Sequence, residues 1–445
     1  MGGQILSSDT IYALATAPGR AALAVIRISG PLSGRVLMTL AGGLPPARRA
    51  TVRTLRDGAG VALDEALVLF FKGPASFTGE DVAELHLHGG RAVTSAVLHA
   101  LSLMEGVRPA QPGEFTRRAL HNGKMDLTQA EGLADLIDSE TDAQRAQAIR
   151  QYGGGLSAAV QEWRSKLLTA QAIIAADLDF SDEHDVGDDV PIGELLRLLD
   201  RVRAALLAQI ADRRAERVRD GVTVVVTGPP NVGKSSLLNW FSGRDAAIVT
   251  DVPGTTRDLI EVDVDLDGVL FRFVDTAGIR ETADPVESIG IDKALRRAAE
   301  ADVVLRLSDR DEQPGVSVPH ALPDVIQKTV RTKIDSYPEQ TPWADFAISV
   351  VTGAGLTNLR GALVEIASPL AGRDPSLVTR ARHRAAMTEA VSHLDRACTL
   401  LQAAGGLELV AEELRLAAGS LAELTGAMNS EAILDQVFSS FCIGK

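Results

Sequence analysis

Gly228-Pro229-Pro230-Asn231-Val232-Gly233-Lys234-Ser235 matches the spacing G-x-x-x-x-G-K-S. It follows the apolar run VTVVV and precedes the helical run SLLNWFSG. That strand-then-helix context is the one in which such a loop cradles phosphates. Glycines let the backbone wrap close to the anion, while successive N–H groups and a helix start meet its charge. The expected contacts are Asn231, Val232, Gly233, Lys234, Ser235 and Ser236. Lys234 can reach the β- and γ-phosphates, and Ser235 can ligate Mg2+. The loop alone does not separate ATP from GTP.

Later elements narrow the base. Asp275-Thr276-Ala277-Gly278 closes the strand-like VLFRFVD, setting a carboxylate beside the metal and a glycine beneath the γ-phosphate. Between lies the polar loop Thr250-Asp251-Val252-Pro253-Gly254-Thr255-Thr256, in which Thr256 is the expected second Mg2+ ligand. Thr332-Lys333-Ile334-Asp335 and Ser349-Val350-Val351 follow further strand-like runs. This order and spacing resembles the five G motifs of translation-factor-like GTPases. Asp335 can accept hydrogen bonds from guanine's ring N–H and amino group, a donor arrangement adenine lacks. Two positions depart from the usual pattern: Thr332 replaces the Asn of Asn-Lys-x-Asp, and Val350 replaces an Ala. GTP is the expected nucleotide, with the tightness of selectivity left open. Where many GTPases carry a water-orienting Gln, this chain has Ile279, which cannot hydrogen-bond. Arg280, Glu281, Asp284 and Glu287 form the charged segment that follows; a carboxylate reaching in when the loop orders is the catalytic reading, and a solvated loop is the other.

The elements that must position these groups follow from composition and periodicity. The chain has 445 residues, 45% apolar, enough for several cores. Two cysteines, Cys398 and Cys442, write no disulfide framework and fit a reducing compartment. The start MGGQILSSDT lacks the features of a signal peptide, and no apolar stretch nears the roughly 20 residues a membrane span needs. A cytoplasmic protein with no membrane association is the expectation. The net charge of −14 argues against a nucleic-acid partner, but residues 1–122 carry 12 basic and 9 acidic side chains, so the acidity lies elsewhere. Residues 1–122 mix short apolar runs with turn signals, the texture of an α+β domain. From about Met125 helical spacing takes over, as in Val160, Trp163, Leu167, Ala170, Ile174 and Leu178, and in Leu195, Leu199, Val202 and Leu206. Residues 222–370 alternate strand-like and helical runs, the pattern of a doubly wound α/β domain. Helical stripes return after Pro375, with Met387, Val391, Leu394, Cys398 and Leu401 in one of them. The economical reading is a multidomain chain: an α+β N-terminal domain (1–122), a helical domain in two parts (123–216 and 373–445), and an α/β P-loop GTPase domain (217–372) inserted between them. Two separate helical domains are the alternative.

Long stretches beyond the GTPase cassette are distinctive: ATAPGRAALAVIRISG, GPASFTGEDVAELHLHGG, RPAQPGEFTRRALHNGKMDLTQAEGLADLID and the ending FCIGK. With the cassette, they make nearly the whole chain resemble the tRNA-modification GTPase family MnmE, also called TrmE. The resemblance implies a folate-binding-like N-terminal domain that dimerises, followed by a helical domain carrying the inserted G domain. It implies a homodimer acting with an FAD-carrying, NADH-dependent partner, MnmG (GidA), as a heterotetramer. Together they would build a carboxymethylaminomethyl-type group on C5 of the wobble uridine of certain tRNAs. The one-carbon unit would come from a tetrahydrofolate derivative, in 5-formyl or methylene form. On matching positions the folate contacts would be Arg27, Glu84, Lys124 and Lys445. The resemblance also implies a K+-stimulated GTPase activated by G-domain dimerisation, with K+ held by Asn231, Thr250, Val252 and Thr255. Glu287 then matches the glutamate that orients water. Cys442 matches a near-terminal cysteine important for tRNA modification, as a nucleophile or as cavity lining.

Two other readings stand beside this one. The first is a GTP-regulated assembly or ribosome-associated switch with no role in tRNA chemistry. The second, a prenylated signalling GTPase, rests on the superficial C-a-a-X look of Cys442-Ile443-Gly444-Lys445; a final lysine and a glycine speak against it.

Overall fold

The computed structural model describes residues 9–180, 192–244, 247–248, 260–275, 301–309, 325–337, 343–368, 376–403, 405–427, 431–439, 441 and 443–444. They form two compact units, one of Met1–Ala134, Ser157–Ser165 and Ala418–Lys445, the other of Asp135–Leu156 and Lys166–Ala417.

In the first unit six strands form one sheet: β1 (Thr10–Leu14), β2 (Leu23–Ser29), β3 (Thr51–Arg56), β4 (Ala62–Phe71), β5 (Val82–His88) and β6 (Val107–Pro109), in the order β3-β4-β5-β2-β1-β6. All neighbours run antiparallel except β1 and β6. Period-two alternation assigns the faces. Ile26, Ile28, Leu85, Leu87, Val68 and Phe70 point to one side, where Val36, Leu37 and Leu40 of helix Ser33–Leu40 and Val97 and Leu101 of helix Arg91–Ser102 cover them. Arg27 and Glu84, one residue out of phase, must emerge on the other side. Ile11, Ala13, Ala110 and Phe115 make a smaller apolar cluster there. A third cluster joins Ala119, Met125, Leu127 and Ala130 to Leu434, Phe438 and Phe441 near the chain's end. Gly444 (φ +101°) then lies so close to the Leu14 carbonyl that no side chain could stand there.

In the second unit seven strands follow: β7 (Val222–Thr227), β8 (Ala247–Ile248), β9 (Ile260–Leu266), β10 (Val269–Asp275), β11 (Val303–Ser308), β12 (Ile326–Arg331) and β13 (Phe346–Ala347). Their order is β13-β12-β11-β7-β10-β9-β8, parallel from β13 to β10 and antiparallel at β9 and β8. Parallel strands are buried on both faces, which explains the unbroken valine run of β7. Val224 and Val226 meet Leu237 and Phe241 of helix Lys234–Arg244 and Leu359 and Leu363 of helix Leu356–Ala367. Val225 faces a second cluster with Val274 and Val304. Strand order reverses at β7, whose neighbours are β11 and β10, so its C-terminal end opens onto the crevice where such sheets bind ligands.

Helix Ile192–Ala211, which precedes the sheet in sequence, buries Leu195, Leu199, Val202 and Leu206, and Arg203 pairs with Asp395 of helix Ala381–Gln402, which follows it. Met387, Val391, Leu394 and Leu401 are buried as their spacing predicts, while Cys398 is only half-buried. Burial, with Asp200 and Asp395 adding to it, raises the Cys398 thiol pKa and keeps it protonated and inert.

Candidate functional site

The phosphate loop leaves β7 through Gly228, at φ +146°, where a Cβ would stand 2.5 Å from the Leu307 carbonyl oxygen. Asn231 takes a left-handed conformation (φ +62°) and Gly233 has φ +104°, which curls the backbone before helix Lys234–Arg244 begins. Lys234 is nearly fully buried, and its Nζ donates to the carbonyls of Gly228 (2.7 Å) and Pro229 (2.9 Å). This ammonium thus sits inside the loop's curve, where a triphosphate can take over its bonds. One residue on, the Ser235 hydroxyl donates to Asp275 Oδ2 at 3.0 Å. Asp275, 1% exposed, ends β10 opposite Val226 of β7. A hydroxyl and a buried carboxylate converging at the phosphate loop are the hard oxygen donors that Mg2+ takes.

The adjoining edge of the same sheet carries the base-reading candidates. Thr332 follows β12 and is buried; its hydroxyl donates to the Val232 carbonyl at 2.6 Å. Lys333 is left-handed (φ +57°) and its Nζ pairs with Asp309 at 2.8 Å. Asp335 is exposed, as a group that meets a ligand must be, and accepts from the Ser349 hydroxyl at 2.5 Å. That bond chiefly holds its carboxyl below the ordinary carboxylate range, with Ser336 assisting. Ser349 is fixed in turn by its backbone bonds to Ala354 and Gly353, while Val350 is half-buried and Val351 exposed. The fourth and fifth sequence motifs therefore meet through Ser349 and Asp335. The tie from Thr332 to the phosphate loop, and the Asp309 partner of Lys333, have no counterpart in the motif spacing.

In the first unit, Arg27 of β2 stands directly opposite Glu84 of β5. Its Nε donates to Glu84 Oε1 at 3.1 Å, Nη2 lies 3.1 Å from the same oxygen, and His86 Nε2 lies 3.3 Å from Glu84 Oε2. The guanidinium lies 5.4 Å from the Phe77 ring centre and 5.9 Å from that of Phe115. Lys124 approaches through the loop that bears Phe77, its Nζ donating to the Pro74 carbonyl at 2.9 Å. A buried network clamps the same loop. Ser29 binds Thr78 and Glu80, and Arg118 binds Glu80, Asp9 and Glu114. The sequence reading named Arg27, Glu84 and Lys124 and missed Phe77, Phe115, His86 and Arg118. The alternation E-L-H in β5, which puts His86 on the face of Glu84, is the signal that could have found one of them.

Thr250, Asp251, Val252, Pro253, Gly254, Thr255, Thr256, Thr276, Ala277, Gly278, Ile279, Arg280, Glu287, Cys442 and Lys445 lie outside the described residues. So do most of the expected K+ ligands; Asn231 alone of that set is described. Among the described residues no helix is long and apolar enough to cross a membrane.

A doubly wound sheet with a Lys-Ser phosphate loop, a buried aspartate at the metal position and an Asp–Ser turn on its edge defines a P-loop GTPase. Comparison with known proteins narrows this class. Residues 10–124 match the family model described as the GTP-binding protein TrmE N-terminus, and residues 127–442 match that of the MnmE helical domain. The chain is 51% identical to the tRNA modification GTPase MnmE of Methylorubrum populi over 442 residues, which is 98% of each chain. It is 50% identical to that of Methylobacterium radiotolerans, over 98% of this chain and 99% of the relative. The chain belongs to the tRNA modification GTPase MnmE family.

Proposed function

We propose that this chain hydrolyses GTP as part of a tRNA-modifying machine, and that its first unit binds a reduced folate. The observation that carries the reading is Arg27 opposite Glu84 on one sheet face, with the Phe77 and Phe115 rings beside the guanidinium. The half-buried Phe77 ring and a carboxylate that accepts N–H donors fit a flat pterin, and Arg27 and Lys124 suit an anionic glutamate tail. Arg27, Glu84, Lys124 and Lys445 would hold the folate, which when bound supplies a one-carbon unit. Arg27 fixes the Glu84 carboxylate, and Phe77 and Phe115 exclude water from one side of the pair.

On the GTPase side, Lys234 and the loop from Asn231 to Ser236 bind phosphates, while Ser235 and Thr256 ligate Mg2+ with Asp275 alongside. Asp335 reads guanine, with Ser349, Val350 and Val351 closing the base pocket. Ile279 cannot orient water, so Glu287 takes that role, with K+ on Asn231, Thr250, Val252 and Thr255 supplying charge as two G domains meet. Hydrolysis by Glu287→Ala at the native rate in K+ would overturn that assignment.

The assembled reading is a cytoplasmic homodimer with an FAD-carrying MnmG-like partner, installing a carboxymethylaminomethyl-type group at C5 of wobble uridine. Its domains are 1–122, the inserted G domain 217–372, and a helical domain of 123–216 and 373–445. Nucleoside analysis of tRNA from cells lacking the gene tests it. Loss of the C5 substituent is expected; unchanged wobble uridines refute it and favour a switch without tRNA chemistry.

A further inference from the structure

Thr332 stands where the base-reading pattern Asn-Lys-x-Asp has an asparagine, and the difference is one of hydrogen count. An amide carries two N–H donors and a hydroxyl only one. The single Thr332 proton is engaged: Oγ1 lies 2.6 Å from the Val232 carbonyl and 3.4 Å from that of Ser308. Thr332 is 2% exposed and Val232 0%, so water cannot replace the bond. Guanine presents N7 and O6 as acceptors, and N7 can be read only by a donor. Turning the Thr332 proton to N7 would strand a buried carbonyl, a loss larger than the gain from one neutral hydrogen bond. The neighbours are engaged too. The Thr332 N–H donates to Ser308 at 2.9 Å, Lys333 Nζ is held by Asp309 at 2.8 Å, and the Ser349 hydroxyl donates to Asp335 at 2.5 Å.

We propose that Thr332 makes this GTPase blind to purine N7. Its hydroxyl fastens the base-reading turn to the phosphate loop, and guanine is recognised through the Asp335 edge without a side-chain donor to N7 from the described residues of that turn. The inference rests on the reading of Thr332–Asp335 as the base-reading turn. Thr332 is thus a specificity-determining residue that acts through what it does not contact.

Equilibrium binding of GDP and 7-deaza-GDP, which has C–H in place of N7, to the full-length protein is the test. The native chain is expected to bind the two within threefold of each other. Thr332→Asn, which restores a second donor, is expected to favour GDP by about three- to tenfold. Thr332→Val, which removes the tie to Val232, is expected to weaken both nucleotides equally. A native protein that loses more than threefold on 7-deaza-GDP overturns the proposal, and that measurement needs no variant to fold. Asp335→Asn separates the two levels of the argument, because an amide donor suits xanthine's carbonyl where guanine has an amino group. If it fails to shift preference from GDP toward xanthosine diphosphate, the base-reading assignment itself is wrong. If it shifts while the native chain senses N7, only the inference on Thr332 falls.

Discussion

The nucleotide site and the Arg27–Glu84 site recognise by different means. The phosphate loop is eight contiguous residues whose power lies in backbone shape, enforced by positive φ angles at Gly228, Asn231 and Gly233. The Arg27–Glu84 face is built from side chains 57 positions apart, joined only because β2 and β5 pair in one register. A contiguous backbone site depends on few side chains, and its failures are local. A side-chain site depends on every element that holds the register and returns the loops. Changes in the first should abolish chemistry without unfolding anything; changes around the second should act through stability as often as through binding.

The largest expected effect lies in the first. Lys234→Ala removes the buried ammonium from the loop's curve, and GTP hydrolysis should fall by about 10³-fold in phosphate-release assays. Urea unfolding followed by fluorescence of Trp163, a buried reporter in the first unit, in a background with Trp240→Phe and Trp343→Phe, should not move. Arg118→Ala should give the mirror image. Its side chain, 8% exposed, binds Asp9, Glu80 and Glu114, and removing it takes the shared cation from three half-buried carboxylates. The first unit should lose about 3 kcal/mol in the same measurement, with GTP hydrolysis unchanged. If Arg118→Ala also abolished hydrolysis, or Lys234→Ala unfolded the first unit, the contrast between the sites would collapse.

That contrast also explains what could be read from the sequence. Gly228, Gly233, Lys234 and Ser235 were legible because a backbone cradle must be written in adjacent residues. Asp275 was legible because a carboxylate ending an apolar strand-like run has few other uses. The helical stripes were legible wherever one face is buried, as at Leu195, Leu199, Val202 and Leu206. The register that sets Arg27 against Glu84 was not, since no local pattern specifies which of six strands are neighbours; only the long family motifs put both in one site. Phe77 comes from a loop clamped by the Arg118 network and Phe115 from helix Glu114–His121, which carries Arg118, so their place emerges only in the fold. Thr332 was visible as a departure, but its meaning needed the short bond to Val232.

A smaller effect probes the side-chain site directly. Arg27→Ala should weaken binding of a reduced folate to the full-length protein by about 10- to 100-fold, the range for a charge-assisted hydrogen bond. Calorimetric titration would measure it. Arg27→Lys should recover little, because an ammonium lacks the planar guanidinium that sets Nε and Nη2 together on Glu84 Oε1. Full affinity in Arg27→Lys would mean that charge alone suffices and that register matters less than the comparison claims.

The smallest effect concerns pH. Burial pushes the Glu114 carboxyl up, but bonds from Arg108, the Gln111 N–H and Arg118 outweigh it and hold the pKa below its ordinary 4.5. A carboxylate whose pKa is lowered by folding stabilises the fold in full above its unfolded value. The contribution is lost as pH falls below about 4.5 and through the folded value, because the native state then takes up its proton late. Glu114→Gln removes that titration. The variant should be less stable than the native chain at neutral pH, the two curves should converge on acidification, and the difference in their slopes should lie below about 4.5. Urea midpoints read from Trp163 in the same Trp240→Phe, Trp343→Phe background, between neutral pH and the acid limit, measure it. Parallel curves would show that Glu114 contributes geometry without charge, and would move the burden of clamping the Phe77 loop onto the Arg118–Glu80 pair.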